Sequence, residues 1–230
     1  MKGDLVTYLT HQYYKNEQTK SEPGPVITFS REYGCPSKLV AEKLIELINT
    51  KLSLKASKER WKWVSKEILS EAAHELSMEP EQISYVFDYE QKGILDDILS
   101  SHSRKYYKSD RQIRQTIANV IRSFAIQGNV IIVGRAGVVI TKDIPRSLHI
   151  NLEAPLEWRA VRTAAKYQLT IEQAKKTAIE TDKKRREFRE YFAGKGNDYT
   201  RFDLTINCMN LSVEEISQLI LKAAEIRKLI

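Results

Sequence analysis

Three segments of this 230-residue chain carry residue types suited to holding phosphate. The first is Ser30-Arg31-Glu32-Tyr33-Gly34-Cys35-Pro36-Ser37-Lys38-Leu39, between a short apolar run and a helical pattern. In that setting backbone N–H groups and a helix N-terminus cradle phosphate. Lys38, at the helix entry, would reach a terminal phosphate. The spacing departs from the standard G-x-x-x-x-G-K-[ST] loop. Glu32 replaces its first glycine, Ser37 its second, and Leu39 its magnesium-binding hydroxyl. Spacing alone therefore fits an ordinary strand–helix turn better than a phosphate loop. The second segment is Gly134-Arg135, directly after the apolar run Val130–Val133. A guanidinium there offers a planar fork for bidentate phosphate contact. The third is the basic stretch 155–199. In it Arg159 and Arg162 lie one turn apart, and Asp182, Arg185 and Arg189 share a helix face. Arginines of this kind can stabilise the charge of a transferring phosphoryl group, although a solvated helix face accounts equally for any one of them.

The elements that must position these residues are legible in the hydrophobic pattern. Val26–Ser30, Val130–Val133, Leu148–Leu152 and Phe202–Asn207 are short, β-branched and bounded by turn residues, as buried strands are. Helical spacing separates them: Leu39, Leu44, Leu47 and Ile48; Ile113, Ile117, Val120, Ile121 and Phe124; Val213, Ile216, Ile220 and Leu221. Pro155 opens a further helix at a first-turn position where proline is tolerated. Asp110 is placed to cap the helix 110–127 and Gly128 to end it. Ser65–Leu76 reads as another amphipathic helix, and Trp61-Lys62-Trp63-Val64 as a short strand feeding a mostly helical middle. Strand–helix alternation predicts an α/β fold with a parallel sheet covered on both faces. In such sheets ligands bind at the carboxyl ends of the strands, where all three segments fall.

Composition narrows the function classes. The formal net charge is +7, with 42% hydrophobic and 29% charged residues. That suits anionic partners, and equally a lysine-rich surface. Cys35 and Cys208 stand outside any Cys-x-x-Cys spacing, and the four histidines are scattered, so no zinc set is visible. No stretch is apolar enough to span a membrane and no signal-peptide pattern follows Met1. A reducing cytoplasm is the expected location. Nucleic acid is a weak candidate partner, because aromatic residues do not alternate with the basic ones.

In order, Val26-Ile27-Thr28-Phe29-Ser30-Arg31-Glu32-Tyr33-Gly34, Val130-Ile131-Ile132-Val133-Gly134-Arg135, Ala154-Pro155-Leu156-Glu157-Trp158-Arg159, Asp182-Lys183-Lys184-Arg185 and Phe202–Asn207 resemble the cytidylate kinase-like family. The resemblance runs from about Val26 to the C-terminus. It implies a three-layer P-loop kinase fold with five parallel strands, as one domain over 25–230 after an N-terminal extension, 1–24. It also implies a helical acceptor-site insert at about 52–128 and a lid at about 163–200. The implied reaction is transfer of the ATP γ-phosphoryl group to CMP or dCMP, with Mg2+. Carried over by position, Gly34, Cys35, Ser37, Lys38 and Leu39 form the phosphate loop. Gly134 and Arg135 hold the acceptor's phosphate. Lys38, Arg159 and Arg185 assist transfer, and Asp182 orients a lid arginine or a magnesium-bound water.

The sequence also departs from the family pattern. Pro36-Ser37-Lys38-Leu39 stands where relatives carry a Gly-Gly-Arg-Glu-like step, and Pro36 brings no N–H. Val133 and Ala136 replace the acidic residues that flank the Gly-Arg pair in cytidylate kinases. No direct magnesium ligand can be named. Two readings follow: a nucleoside monophosphate kinase-like enzyme, or a nucleotide-binding pseudokinase with a regulatory role. The apolar faces of helices at 65–77 and 90–127 are compatible with a homodimer.

Overall fold

The computed structural model describes residues 23–84, 109–194 and 201–230. The expected N-terminal extension up to residue 22, the start of the apolar stretch at 90–127 and the tip at 195–197 lie outside the described residues. The elements are, in order, β1 (Val26–Arg31), α1 (Ser37–Leu54), β2 (Lys62–Val64), α2 (Lys66–Leu76), α3 (Pro80–Ser84) and α4 (Asp110–Gln127). They continue with β3 (Val130–Val133), α5 (Gly137–Ile140), β4 (Ser147–Glu153), α6 (Leu156–Tyr167), α7 (Ile171–Ala193), β5 (Leu204–Asn207) and α8 (Val213–Ile226).

Among the described residues five strands form one sheet in the order β2-β3-β1-β4-β5. Every pairing is parallel. This is the α/β architecture with a five-stranded parallel sheet that the resemblance implied. β1 sits at the centre, with Val26 level with Val130 of β3 and Ser147 of β4. Its alternation sorts the core into two layers. Val26 joins Val130 and Ile132 against α2 and α4, while Ile27 and Phe29 join Ile131, Leu148 and Ile150 against α1 and α8. Ile27 and Phe29 are essentially without solvent exposure, and such burial contributes about 1.5–3 kcal/mol for each side chain. Thr28 and His149 are register partners. Their side chains meet at 2.7 Å between Oγ1 and Nδ1, while Nε2 of His149 is buried without a hydrogen-bond partner among the described residues.

Several boundaries differ from the sequence expectation, each for a local reason. Strand β1 runs on to Arg31, because Arg31 still pairs with Leu152 of β4. β2 is an edge strand of the main sheet, paired with β3, so the stretch 52–128 includes the end of α1 and a core strand. The cap of α4 is Ser109, whose side chain accepts from Gln112 N–H, with Asp110 as first helical residue. Gly128 does end that helix, at φ 77°, and donates to Phe124 O. Pro155 precedes α6 as its cap residue. β5 begins at Leu204 rather than Phe202. Helices α7 and α8 start with reciprocal capping boxes, Thr170/Gln173 and Ser212/Glu215. Such a cap contributes about 1 kcal/mol.

Candidate phosphate-binding site

At the carboxyl ends of β1 and β3 the sheet opens into a cavity of about 290 Å³. Arg31 enters it from the end of β1, Arg135 from the turn after β3, and Lys184, Arg185 and Arg189 from α7. Ser30, Gly134 and Phe188 complete the inner wall. Five cationic side chains therefore face one space, and no described residue lining it is acidic.

The turn after β3 is built under strain. Gly134, Arg135 and Ala136 are all left-handed, at φ 80°, 56° and 57°. A non-glycine residue pays about 1 kcal/mol or more for that conformation. The turn is held by Gly134 N–H donating to Phe29 O at 2.8 Å and Gly137 N–H donating to Gly134 O at 3.0 Å. It places Arg135 on the cavity wall together with Arg31. Gly134 has a second duty. A Cβ there would stand 1.7 Å from Nη1 of Arg31, so the Arg31 guanidinium occupies the space the glycine leaves.

Helix α7 is fastened across the loop 32–36 by its own side chains. Asp182 accepts from Tyr33 N–H at 2.7 Å with Oδ1 and from Arg159 Nη1 at 2.7 Å with Oδ2. Arg159, a buried residue of α6, also donates to Ala154 O at 2.8 Å and Tyr33 O at 3.0 Å. Its Nε stands 3.3 Å from Glu32. Glu32 accepts Ala154 N–H at 3.0 Å. Burial pushes the Glu32 carboxyl up, against that N–H and the Arg159 charge. Arg185 Nη1 donates to Arg31 O at 3.0 Å, and its guanidinium lies over the Tyr33 ring at 5.7 Å. Phe188 anchors α7 in the core layer shared with α2 and α4.

The sequence-derived candidates divide between two places. Gly134, Arg135 and Arg185 meet at the cavity. Asp182 and Arg159 form the fastening beside it. Gly34, Cys35, Ser37, Lys38 and Leu39 do not line the cavity. Lys38 is largely exposed and 3.7 Å from Glu42, one turn on. Leu39 is exposed, whereas Ser37 is buried at the start of α1. Three of the loop amides turn inward: Tyr33 N–H goes to Asp182, Cys35 N–H to Glu32 O and Ser37 N–H to Cys35 O, and Pro36 has none. Gly34, at φ 93°, is pressed onto α6, where a Cβ would come within 3.0 Å of Arg159 Cβ and Thr163 Oγ1. Sequence reasoning did not assign Arg31 to the site. The available signal was that a strand running one residue further puts that position at the sheet's carboxyl edge. Arg189 was visible as a residue on the Asp182/Arg185 face.

Among the described residues the cavity's charge is positive. Burial first, then the guanidiniums of Arg185, Arg135 and Arg189, hold Arg31 well below its ordinary value. Burial also lowers Arg185. Guanidiniums stay protonated near neutral pH, so the Arg31 guanidinium sits among like charges. The described lining suits an anion. The described residues offer no set of direct ligands for magnesium. Asp182 and Glu32 are engaged with Arg159, and no group of three or more metal-ligating side chains exists among the described residues. No helix among them is long and apolar enough to cross a membrane.

The same architecture occurs in solved structures. An uncharacterized protein from Eubacterium ventriosum superposes with a TM-score of 0.61 at 20% identity, covering 87% of this chain and 98% of that one. Shikimate kinase from Bacteroides thetaiotaomicron gives 0.50 at 10% identity, with the same coverage of each chain. These likenesses concern the fold, that of a P-loop kinase. In sequence, the chain is 30% identical over 132 residues to a cytidylate kinase from Sulfurisphaera tokodaii, which spans 57% of this chain and 71% of that enzyme. The family model for the cytidylate kinase-like proteins matches residues 26–210, from the first residue of β1 to just past the end of β5. The chain thus belongs to the cytidylate kinase-like family.

Proposed function

We propose that this protein is a nucleoside monophosphate kinase-like phosphotransferase, moving the γ-phosphoryl group of ATP to CMP, dCMP or a related phosphate-bearing acceptor. The observation that carries this is the arginine-lined cavity at the ends of β1 and β3. Family membership supports the class of reaction. An acceptor phosphate oxygen bonds to the γ-phosphorus, the bond to the β,γ-bridging oxygen breaks, and ADP leaves. The acceptor oxygen is already ionised, so no proton need be removed. Catalysis then rests on positioning and charge stabilisation. Arg135 would hold the acceptor's phosphate, and Arg185 would stabilise charge on the group in transfer. Asp182 and Arg159 would keep α7 closed over the loop and so exclude water. The end of α6 and α7 would serve as the lid expected at about 163–200, and the helices between β2 and β3 would form the acceptor side. Turnover of this class usually uses Mg2+, which would be carried on the nucleotide and its waters.

ADP release, coupled to NADH oxidation and measured across nucleoside monophosphates, deoxynucleotides and small phosphate acceptors, tests the proposal. Turnover with one acceptor, lost on Arg135→Met, is the expected result. Background rates with every acceptor would refute it. Calorimetric nucleotide binding in that circumstance would point to a binding protein instead.

A further inference from the structure

We infer that Arg31 is a phosphate-binding residue, and that it lets this cavity hold a phosphate-class dianion without a divalent cation. The inference rests on reading the cavity as the phosphoryl site, and goes beyond it in naming the group that does the holding.

Three observations carry it. The first is the cradle. Nη1 of Arg31 lies where a Cβ of residue 134 would be, with Cζ and Nη2 at 2.7 Å and 3.0 Å from that point. Only a glycine admits the guanidinium there, and the register brings it close: Phe29 pairs with Val133, one residue before Gly134. The second is the surrounding charge. Arg31 shares the cavity with Arg135, Lys184, Arg185 and Arg189, and its charge is opposed by the three arginines and supported by Asp182. The Arg31 carbonyl is bound by Arg185 at 3.0 Å, which fixes the backbone from which the side chain extends. The third is the state of the loop. Tyr33, Cys35 and Ser37 spend their N–H groups within the protein, and Pro36 has none. With these three amides committed, charge-assisted side-chain donors add to what backbone donors do in a glycine-rich loop. A cation bound in a fixed fork needs no metal to neutralise a phosphate group.

The test is calorimetric titration of the full chain with inorganic pyrophosphate and inorganic phosphate, in EDTA and again with Mg2+. Thermal unfolding is measured under each condition. The expected result is binding in EDTA, with affinity changed by Mg2+ by less than about threefold. Arg31→Met should weaken it by about 10- to 100-fold, the loss of a charge-assisted pair. Gly134→Ala should weaken it comparably by displacing the guanidinium. Lys222→Met, which removes one surface charge far along the sequence on α8, serves as control and should bind like the parent. Arg31→Met should also unfold, without ligand, at a temperature no lower than the parent, because it removes repulsion, and should lose the stabilisation by pyrophosphate. Binding that appears only with Mg2+ overturns metal-free holding. Parent-like affinity in Arg31→Met overturns the role of Arg31. A marked drop in its ligand-free melting temperature marks the residue as structural and also overturns it. Turnover in the coupled assay is independent of all these outcomes, so phosphoryl transfer can stand when this inference fails.

Discussion

Replacing Asp182 by alanine should uncouple α7 from the loop 32–36. The carboxylate makes two charge-assisted hydrogen bonds, each 2.7 Å, to Tyr33 N–H and Arg159 Nη1. Its side chain is 20% exposed and that of Arg159 7% exposed, so solvent replaces neither bond well. The Arg159 guanidinium retains Ala154 O, Tyr33 O and the Glu32 carboxylate. It is therefore not orphaned, and the loss falls short of the roughly 3–5 kcal/mol for stripping a buried charge of its partner. The Tyr33 N–H loses its acceptor, at about 1–3 kcal/mol. Together the expected destabilisation is about 2–4 kcal/mol, or a fall in melting temperature of about 5–15 °C for a chain of this size. Urea unfolding followed by Trp61, Trp63 and Trp158 fluorescence measures it. A double-mutant cycle with Arg159→Met should return a coupling of about 1–3 kcal/mol. Asp182→Asn should lie between parent and alanine, since its amide oxygen can still accept from Tyr33. A loss below about 0.5 kcal/mol, or strictly additive variants, would refute the fastening.

Further outcomes follow from the titrating groups. Burial, with Glu71 one turn away, pushes the Glu75 carboxyl up to about 7. The folded value lies above the unfolded one, so the chain loses stability as pH rises from about 4.5 through 7. Glu75→Gln should be neutral at pH 4 and stabilising by about 1–2 kcal/mol at pH 8, after discounting for partial solvent screening. Equal stability of the two proteins at pH 8 would count against that burial. The Cys35 thiol is raised by its hydrogen bond to Cys208 and by burial. At pH 8 it should react with iodoacetamide about tenfold or more slowly than free cysteine, and faster once Cys208→Ala removes the partner. A rate like that of free cysteine in the parent protein would contradict the contact.

What the sequence disclosed, and what it withheld, separates along physical lines. The runs at 26–30, 130–133 and 148–152 are strands because their burial on both faces demands continuous apolar residues. Helix periodicity likewise placed Asp182, Arg185 and Arg189 on one face. The boundaries slipped where side-chain chemistry decided them, as at Ser109 against Asp110. The Arg31 position is given no role by the sequence, for a tertiary reason. Its importance depends on Gly134, more than a hundred residues away, leaving room beside a neighbouring strand. The left-handed run 134–136 was equally hidden, since nothing in the type of Arg135 or Ala136 favours that conformation.

The glycines show how the loop and the cavity have exchanged roles. A phosphate loop needs glycine where its backbone must approach the ligand. Here Gly34 faces Arg159 and Thr163, and Gly134 faces Arg31, so both leave room for protein side chains. Once the amides of Tyr33, Cys35 and Ser37 are committed to the protein, the missing N–H of Pro36 costs the loop little. Ser37 and Leu39 likewise lie outside the cavity wall. Departures that look disabling in sequence thus fall on positions the structure does not turn toward the cavity. The residues it does turn there are cations held by strand ends, a strained turn and a fastened helix. Such preorganisation is what the proposed phosphoryl transfer would draw on, because the site's charge is already in place.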